Sequence, residues 1–116
     1  MPIYNLGKKE PQLPSEGSYW VAPDAHVICN VILGQDVGIW FGSVLRGDND
    51  LIKIGNETNI QENTIIHVDP NTPVTIGNNC TIGHNAIIHG CTIGNNSLVG
   101  MGATTVSYTH LTLPTT

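Results

Sequence analysis

Aliphatic residues recur at every sixth position of this chain, and this period constrains the fold more than any other feature. Steps of six from Val21 reach Val27, Leu33, Ile39 and Leu45. Neither a helix, with about 3.6 residues per turn, nor a strand, with a period of two, produces this pattern. The same ladder resumes later in the chain, at Ile54, Ile60, Ile66, Ile76, Ile82, Ile88, Ile93 and Val99.

A small or β-branched residue follows most ladder positions four residues later, and together the two residue types predict a triangular prism. Each hexad supplies one short strand and one turn, so that three hexads make a coil of 18 residues. Stacked coils pair as parallel strands about 4.8 Å apart. An ordinary β-sandwich is the alternative, and the number of matched hexads argues against it. The small residues are Ala25, Val31, Val37, Ser43, Thr58, Thr64, Cys80, Ala86, Ser97 and Ala103.

The hexad ladder is interrupted in three places. Three extra residues lie within residues 47–53 and four within residues 68–73, and each insertion predicts a loop leaving an edge of the prism. From Ile88 to Ile93 the step is five residues, which the pattern does not explain. Turn residues that tolerate positive φ are supplied by Gly-Asn-Asn and Gly-His-Asn segments.

Composition excludes several classes of function. The chain has 116 residues and a net charge of −5, which argues against nucleic acid or an anionic membrane as partner. No apolar run is long enough for a membrane span, and residues 1–9 lack a signal-peptide core. We interpret the three cysteines, Cys29, Cys80 and Cys91, as buried residues of a protein in a reducing compartment, and predict a cytoplasmic location.

Three of the five histidines are spaced like a metal site. His67 and His89 are 22 residues apart, which becomes one 18-residue coil without the four-residue insertion, so they share a column. Arg46 joins that column, because 21 residues less the three-residue insertion again leave 18. His84 is expected on a different face, so it could meet the pair only from a neighbouring chain, for which a threefold arrangement is natural. Three His ligands with an open position are typical of catalytic zinc, although a stacked His pair is also compatible with no metal at all.

The chain resembles the gamma-class carbonic anhydrases and their hexapeptide-repeat relatives over residues 2–104. The matching segments are Arg46-Gly47-Asp48, Asn59-Ile60-Gln61 leading to His67, and the run from Gly83 to Cys91 containing His84 and His89. The resemblance implies an all-β fold, a left-handed parallel β-helix of about four to five coils, with the family's C-terminal helix missing. It also implies a homotrimer that holds zinc, or iron or cobalt, between subunits through His67, His84 and His89.

The resemblance also implies roles for the residues around the metal and a reaction. Arg46 and Asp48 would form a salt bridge across the subunit interface, and Gln61 would hydrogen-bond the metal-bound water, supported by Asn59. The small-molecule substrate would be carbon dioxide, hydrated to bicarbonate, although no proton-shuttle glutamate is evident beside Asn49 or His67. Two alternatives remain: a non-hydratase on the same scaffold, such as a thioesterase or metabolic accessory protein, and a coenzyme A-dependent acyltransferase.

The pattern divides the chain into three parts. Residues 1–20 are expected to form an extended lead-in, with Tyr19 and Trp20 covering the end of the prism, and residues 21–104 the β-helix. Residues 105–116 have no hexad logic and resemble translated adapter sequence, so we expect them to be disordered or artefactual and the chain to be truncated. His26 and His110 receive no role.

Overall fold

The chain winds into stacked triangular coils whose strands pair in parallel with the strands one coil above and below. The structure is a computed structural model and describes residues 3–106 and 110–111. It is the triangular prism that the hexad ladder predicts, with the left-handed parallel β-helix fold that the resemblance implies. Among the described residues there is no helix long and apolar enough to span a membrane.

Each coil from His26 to Val99 contributes one strand to each of three faces. Strands β3 and β5 are long because they bend round a corner and serve two faces. Face one contains β1 (Ile3–Tyr4), the first parts of β3 (His26–Leu33) and β5 (Val44–Ile54), β7 (Ile65–His67), β10 (Ile87–His89) and β13 (Thr104–Thr105). Face two contains the second parts of β3 and β5, β8 (Val74–Ile76), β11 (Thr92–Ile93) and β14 (His110–Leu111). Face three contains β2 (Tyr19–Val21), β4 (Val37–Ile39), β6 (Asn59–Ile60), β9 (Thr81–Ile82) and β12 (Leu98–Val99).

The core is the column of side chains that the hexad ladder predicts. Every ladder aliphatic from Val27 to Val99 is buried, and Val21 is partly buried at one end. The buried hydroxyls of Ser43 and Thr58 donate to carbonyls of the next coil, Ser43 Oγ to Gln61 O at 2.8 Å and Thr58 Oγ1 to Gly77 O at 2.7 Å. Ser97 Oγ donates instead to Gly94 O in its own coil, at 2.7 Å. The three cysteines are free and buried, as predicted.

Three corners join the faces, and we name them for later use. The asparagine corner, between faces two and three, comprises residues 34–36, 55–57, 77–79 and 94–96. The insertion corner, between faces one and two, comprises residues 29–30, 47–51, 68–73 and 90. The His84 corner, between faces three and one, comprises residues 23–24, 40–42, 61–63, 83–85 and 100–102. Predicted turn residues Asn79, Asn85 and Asn96 have positive φ, between 56° and 60°.

The structure accounts for the short step between Ile88 and Ile93. Gly90, with φ of 52°, turns the insertion corner alone, whereas the other coils use at least two residues there. Cys91 then takes the buried position that Val31, Ile52 and Val74 take in the other coils. A single glycine suffices because it adopts left-handed backbone angles without a steric cost.

Strand pairing begins earlier in the chain than the hexad ladder. Ile3 pairs with Val27, Gln12 bridges to Ile32, and Tyr19 pairs with Val37, so much of the expected lead-in forms a first, loose coil. At the other end, Thr105 pairs with Ile88, and β14 pairs with β11. Residues 107–109 and 112–116 lie outside the described residues, so the prediction of a disordered or artefactual tail stays a prediction there.

Candidate metal centre

Arg46, His67 and His89 lie side by side on face one, at its edge with the insertion corner. The pairing register aligns Arg46 with His67 and His67 with His89, which is the column that the sequence spacing predicts. The two imidazole rings have centroids 5.2 Å apart and planes tilted by 56°. Each follows a buried isoleucine, Ile66 or Ile88, and strand alternation therefore turns both rings outward.

Asp48 links this column through a chain of charged hydrogen bonds. Arg46 Nη1 donates to Asp48 Oδ2 at 2.6 Å, and Asp48 Oδ1 lies 2.8 Å from His67 Nε2. Burial opposes ionisation of this carboxyl, but the His67 hydrogen bond and the Arg46 charge outweigh it and lower the pKa of Asp48. This contact falls within one chain, and the pairing between subunits that the resemblance implies stays a prediction. Residues two apart on a strand face the same side, which makes the short contact available.

Gly47 permits this arrangement. A Cβ at this position would collide with the carbonyl oxygen of Asn30 on the preceding coil and would also crowd Asp50 O. The absence of a side chain therefore lets the three-residue insertion begin directly after Arg46 and return Asp48 to the histidine column. The Arg-Gly-Asp sequence thus has a local packing reason.

The loop after His67 brings in a residue that the sequence reasoning missed. Asp69 Oδ1 lies 3.6 Å from His89 Nε2, and one ligand atom from each of His67, Asp69 and His89 fits within 4.8 Å of the others. The side chains of His67 and His89 are 19% and 28% exposed, so solvent and ions reach them. The signal in the sequence was the His-Val-Asp alternation, which places the carboxylate on the same side as the imidazole.

His84 lies at the opposite edge of face one, on the His84 corner, and is outside the cluster of His67, Asp69 and His89. Its Nδ1 is 3.0 Å from Glu62 Oε1, and both side chains are exposed. Glu62 was also missed in the sequence, although its 22-residue distance from His84 equals that between His67 and His89. Asn85 N donates to Glu62 O at 2.9 Å, and this bond holds the two turns in register.

Gln61 lies in this corner, and Asn59 lies beside it on face three. Gln61 N donates to Ile82 O at 3.0 Å and its carbonyl accepts from Ser43, so its backbone is fixed between coils. Asn59 Oδ1 is buried, and among the described residues it has no hydrogen-bond partner. A buried acceptor without a donor costs about 1–3 kcal/mol, so this oxygen is suited to a donor outside the single chain.

Cys91 follows His89 at the insertion corner but points inward. Burial raises the pKa of this thiol, against the opposing effect of its contact with Thr105 Oγ1 at 3.2 Å. The neutral thiol is therefore the stable form. A ligand role for Cys91 is not supported, because metals bind the thiolate.

Comparison with known proteins agrees with the repeat and the fold. Residues 73–104 match the family model described as the hexapeptide repeat of succinyl-transferase. Gamma carbonic anhydrase 2 of Arabidopsis thaliana, a mitochondrial protein, is 44% identical over 108 residues, which cover 88% of this chain and 38% of the relative. The carbonic anhydrase of Geobacillus kaustophilus is 39% identical over 101 residues, which cover 87% of this chain and 54% of that protein.

A solved structure extends the comparison. The hexapeptide transferase family protein of Anaplasma phagocytophilum superposes with a TM-score of 0.75 at 30% identity, covering 93% of this chain and 76% of that chain. Fold, repeat and motif together define a hexapeptide-repeat protein of the left-handed β-helix class. The chain belongs to the hexapeptide-repeat family that includes the gamma-class carbonic anhydrases. It spans about 38–54% of the length of the two carbonic anhydrases compared above.

Proposed function

We propose that this protein is a metal-dependent, carbonic anhydrase-like enzyme that hydrates carbon dioxide to bicarbonate at a site shared between copies of a homotrimer. The observation that carries the proposal is the division of the histidines: His67 and His89 lie at one edge of face one and His84 at the other. One chain thus offers two complementary half-sites. A ring of three copies, each using one edge against the next, brings the half-sites together three times.

The donor set fits the metal that the family implies. Two imidazoles aligned on neighbouring strands, with a third on the facing chain, are the nitrogen ligands that zinc, iron and cobalt accept. Zinc bound by three histidines supplies a Lewis acid that lowers the pKa of a bound water to about 7. We propose that the bound metal is zinc, with iron and cobalt as the alternatives.

Face one itself supports packing against a second copy. Its outward row between the two half-sites includes Ile65 and Ile87, which are aligned on adjacent strands and are 39% and 44% exposed. Exposed aliphatic rows of this kind are often interaction surfaces. A chain packed across this row would bury it and would bring its own edge towards the histidines.

The residues around the half-sites have distinct tasks in this proposal. The Arg46–Asp48 pair holds one side of the His67 ring, and Glu62 holds Nδ1 of His84, so that Nε2 would be the nitrogen that binds the metal. Such partners behind a ligand orient it and raise its basicity. Gln61 would orient the attacking water, and Asn59, whose buried Oδ1 lacks a donor within the described residues, would support Gln61.

Acyl transfer to or from coenzyme A is the second candidate function. It is favoured by the family model and by the transferase family named for the Anaplasma structure. His84 with Glu62 at 3.0 Å is also a His–carboxylate pair of the kind that serves as a general base. The stacked pair of His67 and His89, with Arg46 and Asp48, has no function in acyl transfer. We therefore rank acyl transfer second.

The location stays a prediction. Three free, buried cysteines support the expected reducing, cytoplasmic compartment, because no disulfide stabilises the coils within the described residues.

The test is hydration of carbon dioxide, followed by stopped flow, with the zinc-loaded chain and two variants. His84→Ala is expected to remove the activity, whereas Thr75→Ala, on face two and outside both half-sites and the row of Ile65 and Ile87, is expected to retain it. Acetyl-coenzyme A turnover is measured in parallel. Hydration that survives His84→Ala, or acyl transfer without hydration in a zinc-loaded trimer, would contradict the proposal.

A further inference from the structure

We infer that Asp69 is a metal ligand, and that His67, His89 and Asp69 form a divalent-metal site within a single chain. This site shares two histidines with the proposed function but requires neither a neighbouring chain nor carbon dioxide hydration. It deepens the proposal above by giving an order of events: the metal binds one chain first, and His84 of a neighbour joins afterwards.

The first argument is distance. His89 Nε2 and Asp69 Oδ1 are 3.6 Å apart, and the three ligand atoms lie within 4.8 Å of one another. Two ligands on one zinc ion, each at about 2.0–2.2 Å, are separated by about 3–4 Å. Small side-chain rotations therefore suffice to bring all three atoms onto one ion.

The second argument is that the backbone holds Asp69 in place. Thr72 N donates to Asp69 O at 3.0 Å and closes a tight turn, and the same two residues form an isolated antiparallel bridge. Pro70 and Asn71 occupy the central positions of this turn, and Asn71 has φ of 61°. Proline followed by a residue with positive φ is favoured in a type II turn, so the sequence itself specifies this loop.

The orientation of the carboxylate follows from the residue before it. Val68 is fully buried and anchors the start of the loop in the core. Alternation along the chain then directs His67 and Asp69 to the same, outward side. The side chain of Asp69 is 53% exposed, which leaves it accessible to an ion and free to rotate towards His89.

The third argument is the chemistry of the donor set. Two imidazoles and one carboxylate are the protein ligands of several catalytic zinc sites and of non-haem iron(II) sites, and both leave coordination positions open. The carboxylate also offsets part of the charge of the ion. An open position in the single-chain site is where the His84 imidazole of a neighbour could bind.

The experiment titrates Zn²⁺ and Co²⁺ into the full chain carrying His84→Ala, with and without Asp69→Asn. The His84→Ala protein is expected to bind one zinc ion per chain and to give a cobalt absorption spectrum. Adding Asp69→Asn is expected to weaken zinc binding by at least about 10-fold, which is the loss that removal of even an outer partner typically causes. Asp69→Glu, which retains the carboxylate, is expected to restore much of the binding.

Asp24→Asn in the His84→Ala background is the matched control. It makes the same change of charge, and it keeps the Oδ1 acceptor for Gly42 N, which lies 3.0 Å away. Thermal melting of all variants confirms that they are folded.

The outcomes separate this inference from the proposed function. No zinc binding by the His84→Ala protein, or equal binding after Asp69→Asn and Asp24→Asn, would overturn the single-chain site and leave the shared site standing. Zinc binding that depends on Asp69 in the His84→Ala background, together with no hydration activity in the zinc-loaded chain with His84 intact, would support the inference while contradicting the proposed function.

Discussion

The asparagine corner and the insertion corner both turn the chain from one face of the prism to the next, but the first is the same in every coil and the second differs from coil to coil. At the asparagine corner each coil repeats the last: Asn95 Oδ1 accepts from Asn78 N at 2.7 Å, Asn78 Oδ1 from Asn56 N at 2.8 Å, and Asn56 Oδ1 from Gln35 N at 2.9 Å. At the insertion corner two coils carry extra residues, one turns on Gly90 alone, and the adjacent column changes from Arg46 to His67 and His89.

The difference shows how a solenoid separates stability from chemistry. A corner that repeats one hydrogen bond in every coil fixes the coil spacing, so the other corners need not be regular. Loops can then leave the insertion corner and carry Asp48 and Asp69 to the histidines without disturbing the buried ladder. Changes at the asparagine corner should therefore alter stability, and changes beside the insertion corner should alter metal binding.

His67→Ala should have the largest effect on metal binding and only a small effect on stability, through the lost hydrogen bond to Asp48. We expect zinc affinity to fall by more than about 100-fold, since loss of a ligand exceeds the cost of losing its outer partners. The melting temperature without metal should stay near that of the wild type, because the ring is outward and partly exposed. Zinc titration measures the affinity and thermal melting the stability without metal. A large loss of that stability would contradict the separation of metal binding from stability.

Gly77→Ala should have the largest effect on stability. A Cβ at Gly77 would collide with the Asn95 side chain and lie 2.8 Å from Asn95 N, so we expect destabilisation by about 1–3 kcal/mol. Gly100→Ala is the control, because a Cβ there has no atom within 4 Å. Denaturant unfolding of the two variants should differ clearly, and equal stability would contradict the close packing described for the asparagine corner.

Glu62→Gln sharpens the comparison at the His84 corner. The amide keeps the size of Glu62 but loses the charge that holds His84 Nδ1, so zinc affinity of the assembled protein should fall about 10-fold. Glu57→Gln, at the asparagine corner, makes the same chemical change and should leave affinity unchanged. Metal competition assays measure the zinc affinity of both variants, and identical affinities would show that Glu62 does not support His84 as a ligand.

Asn78→Ala should have the smallest effect. It removes the acceptor for Asn56 N at an exposed corner, for which a loss of about 1 kcal/mol is typical. Asn78→Asp keeps the acceptor oxygen and should lose less. Chemical denaturation measures the difference, while unchanged zinc affinity in both variants would agree with the division between the corners.

The fold was predictable from the sequence because the hexad period reports directly on the buried column. The two insertions and the Arg46–His67–His89 register followed from the same arithmetic. The burial of residues that follow an insertion, such as Ile52 and Val74, was not predicted, because the loops displace these residues from the six-residue spacing. The strand pairing of the first coil was also not predicted, since residues such as Ile3 and Gln12 pair there without the six-residue spacing.

The site was predictable in part. Spacing brought His67 and His89 together, but it carries no information on loop conformation, and so it missed Asp69, which depends on the turn from Asp69 to Thr72. The contact of Glu62 with His84 could have been predicted, because these two residues have the same 22-residue separation as His67 and His89. The in-chain contact of Arg46 with Asp48 depends on how Gly47 lets the strand bend, which residue spacing does not record.

The central claim is that an active site takes His67 and His89 from one chain and His84 from another, and subunit mixing tests it most directly. His67→Ala and His84→Ala chains are each expected to be inactive alone, and they are unfolded together, refolded with zinc and assayed for carbon dioxide hydration. The account predicts that mixing restores activity, because an intact His84 faces intact His67 and His89 in mixed assemblies. Mixed oligomers, verified by native mass spectrometry, that remain inactive would contradict it.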